Sequence, residues 1–138
     1  MRLLSPRPTG AAQPLFAHAC IEAARISFAV GAEHLLLVCA VYGALDIPPD
    51  DVRDAIVADE RAALASLGIS LDSVRGELEE RFGEELLDSG CGLPVTPEAK
   101  RILELASRRR RSVSPEQLLQ TLLEHSATAQ RLLRTLAD

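Results

Sequence analysis

The sequence has no tryptophan and few aromatic residues of any kind. Three phenylalanines and one tyrosine make up 3% of its 138 residues. Strand-rich cores draw heavily on aromatic and β-branched side chains. Leucine, alanine, arginine and glutamate, which are abundant here, are good helix formers. The composition therefore predicts an all-α protein.

Cysteines are also scarce, and their number is odd. A disulfide framework needs more than the three present, which are Cys20, Cys39 and Cys91. Cys20 and Cys39 fall inside apolar helical patterns, so we expect them to be small core residues. This cysteine usage predicts a cytoplasmic protein.

Long apolar runs are missing as well. No segment reaches the roughly 18 apolar residues of a membrane span, and prolines interrupt "MRLLSPRPTG", where a signal peptide would need a continuous apolar stretch. We expect neither export nor a membrane partner. With 47% hydrophobic and 25% charged residues, the chain lacks the composition of a disordered protein.

Excess positive charge is absent, since the net charge is −5. Proteins that bind nucleic acid generally neutralise phosphates with a basic surface, so we do not expect nucleic acid as a partner. The run "RRRR", Arg108 to Arg111 (Arg108, Arg109, Arg110 and Arg111), is compatible with solvated cations at a helix C-terminus or with an anion or partner patch. The alternative function that this run indicates is a helical DNA-binding transcription regulator.

The first half of the chain predicts four helices. The first begins after Thr9 as its cap, and the second opens at Gly31 and is apolar on every side. After "DIPPDD", Asp50 or Asp51 caps a third helix that stops at Gly68. A fourth follows from about 72 to 82.

The second half follows a glycine-rich connector, "GEELLDSGCGLPV" at 83–95. Thr96 is a favourable cap with Pro97 in the first helical position. Ser114 and Gln117 have the spacing of a capping box. A last helix carries Ala129, Leu132, Leu133 and Leu136.

The two halves repeat the same order of helix openings. Thr9 matches Thr96, Glu22 matches Glu104, and Glu33 matches Glu116. We expect one domain over 1–138, built from two pseudo-twofold-related helical repeats at about 9–82 and 96–138.

The segments "EAARISFAVGAEHLLL", "LPVTPEAKRILELA" and "SPEQLL" together resemble the Clp N-terminal domain, the tandem repeat that precedes the ATPase rings of Clp unfoldases. This resemblance implies two repeats of about four helices each. The chain departs from the family by a longer region around 46–60 and by a second repeat truncated at its C-terminus. No "GxxxxGK[ST]" phosphate loop occurs, so we expect a stand-alone, non-enzymatic domain without a cofactor.

Clp N-terminal domains bind substrates and adaptor proteins, and some recognise phosphorylated arginine through a cap threonine and the glutamate of a "GTEH" motif. The resemblance implies candidate pairs here, Thr9 with Glu33 and Thr96 with Glu116, and Clp unfoldase or protease components, substrates or adaptors as partners. Helix N-terminal amides suit a phosphoryl group and a carboxylate suits a guanidinium. Simple capping explains the same residues without a ligand.

Histidine and cysteine form no catalytic or metal-binding spacing. His34 directly follows Glu33 at a helix start, and His18 and Cys20 lie elsewhere on a helix. A site needs several convergent groups, so the sequence predicts no catalytic residue and no metal ligand, and a structural role for His34.

Overall fold

Six helices make up the fold as the computed structural model describes it, over residues 13–27, 29–68, 93–108 and 113–137. They are α1 (Gln13–Ile26), α2 (Ala32–Val41), α3 (Pro49–Ala65), α4 (Pro97–Ser107), α5 (Pro115–His125) and α6 (Ala127–Ala137). No strand occurs within these ranges, so the predicted all-α class is confirmed. The helix predicted at about 72–82 and most of the 83–95 connector lie outside the described residues.

Helix α2 is the centre of the structure. It contacts all five other described helices, and the side chains of Leu35, Leu36, Leu37, Val38 and Cys39 are completely buried. A helix that is apolar all round is stable only when its neighbours cover every side. The predicted central position of this helix is confirmed.

Helix α3 starts differently from the prediction. Pro48 is its cap residue and Pro49 its first residue, whereas Asp50 and Asp51 lie within the first turn. The prediction that one of these aspartates caps the helix is therefore wrong. A proline at the first position is already set in the helical φ and loses no hydrogen bond, and acidic residues in the first turn still interact favourably with the helix dipole. Gly68, with φ of 73°, lies just beyond the end of the helix as predicted.

The helix openings of the second half agree with the prediction. Thr96 Oγ1 accepts a hydrogen bond of 3.1 Å from the Ala99 amide. Ser114 Oγ accepts from the Gln117 amide at 3.1 Å, while Gln117 Oε1 accepts from the Ser114 amide at 3.0 Å. Both caps and the capping box are confirmed.

A short backbone contact joins the two halves of the chain. The Val30 amide donates to the Pro94 carbonyl at 2.8 Å, and the Thr96 amide donates to the Val30 carbonyl at 2.9 Å. Val30 and Val95 thereby form a single parallel bridge. The N-termini of α2 and α4 consequently lie side by side.

A buried ion pair links α1 to α3. Arg53 Nε and Nη2 donate to the two carboxylate oxygens of Glu22 at 3.0 and 2.9 Å, and Glu22 is 2% exposed. These hydrogen bonds hold the pKa of Glu22 below its usual value despite its burial. Glu104, which the repeat pattern matches to Glu22, is exposed instead.

The cysteines differ from one another. Cys39 is a free thiol, buried as expected, and burial raises its pKa to about 12. Cys20 lies in the core as expected, but it is disulfide-bonded and not a free thiol. An odd, small cysteine count cannot exclude a single pair.

Candidate functional site

A histidine side chain caps the N-terminus of α2, residues 31–34, which is called the α2 opening. The amide of Gly31 donates to His34 Nδ1 at 2.9 Å. The α5 opening, residues 114–117, has the same arrangement, because the third residue of each helix accepts from the cap amide. His34 therefore occupies the position that Gln117 has in α5.

The imidazole of His34 continues into a chain of hydrogen bonds that leads from the core to a half-buried carboxylate. Its Nε2 lies 2.8 Å from Ser27 Oγ, and that oxygen lies 2.8 and 3.1 Å from the two carboxylate oxygens of Glu60 on α3. An amide can only donate, so Nδ1 must be the acceptor and the ring proton must be on Nε2. The imidazole accordingly donates to Ser27, whose hydroxyl donates to Glu60.

This environment keeps the imidazole neutral. His34 is completely buried and Ser27 is 1% exposed. Burial lowers the pKa of His34 to about 4, although the Glu22 carboxylate acts in the opposite direction. At neutral pH the ring is thus a fixed, uncharged hydrogen-bonding group, consistent with the structural role predicted for it.

Glu33, beside His34, is in a different situation. Its side chain is partly buried, and its carboxylate folds back so closely over Gly31 that a Cβ at position 31 would overlap it. Burial raises the pKa of Glu33, and the nearby Glu98 and Asp59 raise it further. Its own backbone amide and the cation of Arg131 lower it only in part.

The acidic neighbours of Glu33 are already engaged. Glu98 accepts hydrogen bonds from the hydroxyls of Ser126 at 2.9 Å and Thr128 at 2.7 Å, which ties α4 to the start of α6. Arg131 Nη2 and Asp59 Oδ2 form an ion pair of 2.7 Å. Glu33 is therefore the carboxylate of this group with the weakest compensation by other side chains.

Glu33, His34 and Glu60 each present a possible metal-ligand atom within 4.8 Å of one another. His34 does not suit this role, because Nδ1 is occupied by the Gly31 amide and Nε2 carries a proton. The cluster thus offers a cation two carboxylates, whereas protein zinc sites use three or four protein ligands. The donor set does not resemble a zinc centre.

The predicted site residues lie in different parts of the chain, and the structure describes only some of them. Thr9 and Arg109 to Arg111 lie outside the described residues, and Arg108 is an exposed residue at the end of α4. Glu116 is exposed in the first turn of α5. The backbone bridge brings Thr96 beside the α2 opening, and among the described residues no hydrogen bond joins Thr96 to Glu116.

Ser27 and Glu60 are the residues of this region that the sequence did not reveal. They are 33 residues apart and meet only because α1 and α3 both pack on α2. A serine at a helix end and a glutamate on an amphipathic helix carry no local signal of such a contact.

No family model matches the sequence, and no solved structure matches the chain. Within the described ranges, no helix combines the length and apolar character required to cross a bilayer.

Proposed function

We propose that the chain is a non-enzymatic protein-interaction domain of the Clp N-terminal kind, a tandem helical repeat that acts as an adaptor, decoy or regulator of Clp proteolysis. The observation that carries the proposal is the duplicated helix opening. In α2 and α5 the third residue accepts from the cap amide, and the second residue is a glutamate whose carboxylate takes no part in that hydrogen bond. A duplicated opening of this form is what the proposed repeat requires.

The chemistry of the α2 opening favours a ligand with a cationic group. Glu33 is a partly buried carboxylate whose pKa is raised by burial and by Glu98 and Asp59. A guanidinium group would supply the opposite charge through charge-assisted, bidentate hydrogen bonds. The positive end of α4, capped by Thr96, lies beside this carboxylate and suits an anionic group. Phosphoarginine, or a degron rich in arginine, combines the required charges.

Calorimetric titration with phosphoarginine and with free arginine tests this proposal. Glu33→Gln is the informative variant, since it keeps size and removes charge. Glu104→Gln is its matched control, because Glu104 is exposed and belongs to neither helix opening. We expect saturable binding of phosphoarginine that Glu33→Gln weakens by about tenfold or more, the range of a lost charge-assisted hydrogen bond. The absence of binding by the wild type, or equal binding by the wild type and Glu33→Gln, would contradict the proposal.

A further inference from the structure

We infer that Ser27, His34 and Glu60 form a positioning relay, a chain of hydrogen bonds from a buried imidazole to a half-buried carboxylate, through which α3 holds the helix openings that carry Glu33 and Thr96. What the relay positions rests on the proposed function, whereas the relay itself rests on geometry alone. Its residues are the one that follows α1, one from α2 and one from α3. None of the three has been assigned to the ligand.

The described residues between α1 and α2 are fixed at three points. Ser27 is hydrogen-bonded to Glu60, Val30 is bonded to the chain at Pro94 and Thr96, and Gly31 is bonded to His34. The first and third points are joined by the bond between Ser27 and His34. A displacement of this segment therefore moves the α2 opening and the start of α4 together.

The chemistry of the relay gives it a direction. Every donor in the relay has an acceptor. The Gly31 amide donates to the His34 ring, the ring donates to the Ser27 hydroxyl, and that hydroxyl donates to the Glu60 carboxylate. Removing the hydroxyl leaves the Nε2 proton of a fully buried ring without this acceptor. A buried donor left unsatisfied is costly, so the ring would shift and release the Gly31 amide. Threonine at position 27 retains the hydroxyl, and glutamine at position 60 retains an acceptor.

The test uses the full-length, isotope-labelled protein and needs no ligand. Amide hydrogen exchange is measured at Val30, Gly31 and Thr96, and the His34 ring nitrogens report the tautomer. The variants are Ser27→Ala and Ser27→Thr, with Ser66→Ala as the control, because the Ser66 hydroxyl bonds only to the exposed end of α3. Glu60→Ala and Glu60→Gln repeat the test from the other end if Ser27→Ala does not fold.

We expect the wild-type ring to carry its proton on Nε2. Ser27→Ala should accelerate exchange at the three amides together by about tenfold or more relative to the slowest core amides, the scale of one lost buried hydrogen bond. Glu60→Gln and Ser66→Ala should remain near the wild type. Ser27→Thr, which keeps the hydroxyl but adds a methyl group at a buried position, should exchange more slowly than Ser27→Ala at these amides. A proton on Nδ1, unchanged exchange in Ser27→Ala, or equal acceleration throughout the chain would overturn the inference.

Binding separates the positioning role from the proposed function. If the wild type binds phosphoarginine, Ser27→Ala should weaken binding by about fivefold or more, although Ser27 is buried. An unchanged affinity would overturn the positioning role and leave the proposed function intact. Failure of the wild type to bind would contradict the proposed function, while the exchange and tautomer results would still decide whether the relay exists.

Discussion

Acidification should destabilise this protein through His34, well above the pH at which carboxylates titrate. The pKa of His34 is about 4 in the folded protein against an ordinary value of 6.5. Below pH 6.5 the unfolded chain takes up a proton that the folded chain cannot hold, so stability falls as the pH falls. The loss is about 1.4 kcal/mol per pH unit between the two values. It reaches about 2 kcal/mol at pH 5 and about 3 kcal/mol at pH 4.

The informative comparison is the wild type with His34→Gln. Glutamine does not titrate, and at the same position of the α5 opening Gln117 Oε1 accepts from the cap amide at 3.0 Å. The variant should therefore retain the helix opening and lose the pH dependence. Urea unfolding at pH 7, 6 and 5 measures both free energies. Glu33 titrates in the opposite sense but is present in both proteins, so its contribution cancels to first order.

We expect the stability difference between the wild type and His34→Gln to shift by about 2 kcal/mol in favour of the variant from pH 7 to pH 5. His125→Gln, which replaces an exposed histidine at the end of α5, should follow the wild type. Parallel curves for the wild type and His34→Gln would refute the reasoning, because they would mean that the buried ring is protonated as easily as in the unfolded chain.

Two further substitutions test neighbouring contacts. Arg53→Ala leaves the buried Glu22 carboxylate without its main partner. In urea unfolding at pH 7 we expect the free energy of unfolding to fall by about 2 kcal/mol, less than for a wholly buried pair because Arg53 is partly exposed. A loss below about 0.5 kcal/mol would show that this pair does not hold Glu22. Gly31→Ala places a methyl group where the Glu33 carboxylate lies, and the φ of −118° at position 31 suits alanine. The carboxylate should therefore move towards solvent, and the pKa of Glu33 should fall towards its ordinary value. An unchanged titration of Glu33 by NMR would contradict this.

Local patterns predicted the parts of this structure that depend on neighbouring residues. Thr96 with Pro97, and Ser114 with Gln117, lie within one turn of each other, so their capping hydrogen bonds follow from spacing. The start of α3 could not be read in this way, because prolines and aspartates adjoin there and both favour helix starts. The residue that caps the helix differs according to which of them begins it.

Tertiary contacts between polar residues could not be predicted from the sequence, for a different reason. The contact of Ser27 with Glu60 spans 33 residues, and no hydrophobic period marks either residue as a hydrogen-bonding partner. The same holds for the Val30 contact with Thr96, which places the α2 and α4 openings together. The candidate residue Glu33 was identifiable, but its surroundings were not.

The direction of the Glu33 pKa shift bears on whether this carboxylate stabilises the helix. A glutamate in the first turn is normally favoured by the helix dipole, by about 0.3 to 1 kcal/mol, and the dipole lowers its pKa. Here the pKa is raised, so burial and the neighbouring acids outweigh the dipole. The cap amide, moreover, is already taken by His34.

Ionised Glu33 therefore costs stability at neutral pH, since a raised folded-state pKa means that the stabilising contribution is lost as the pH rises through it. Glu33→Gln should unfold at an equal or higher urea concentration than the wild type at pH 7, whereas Glu116→Gln, at an exposed position, should change stability by less than about 0.5 kcal/mol. A clear loss of stability in Glu33→Gln would show that the carboxylate serves the helix. A gain in stability, combined with weaker phosphoarginine binding, is the pattern of a residue retained for function at a cost to the fold.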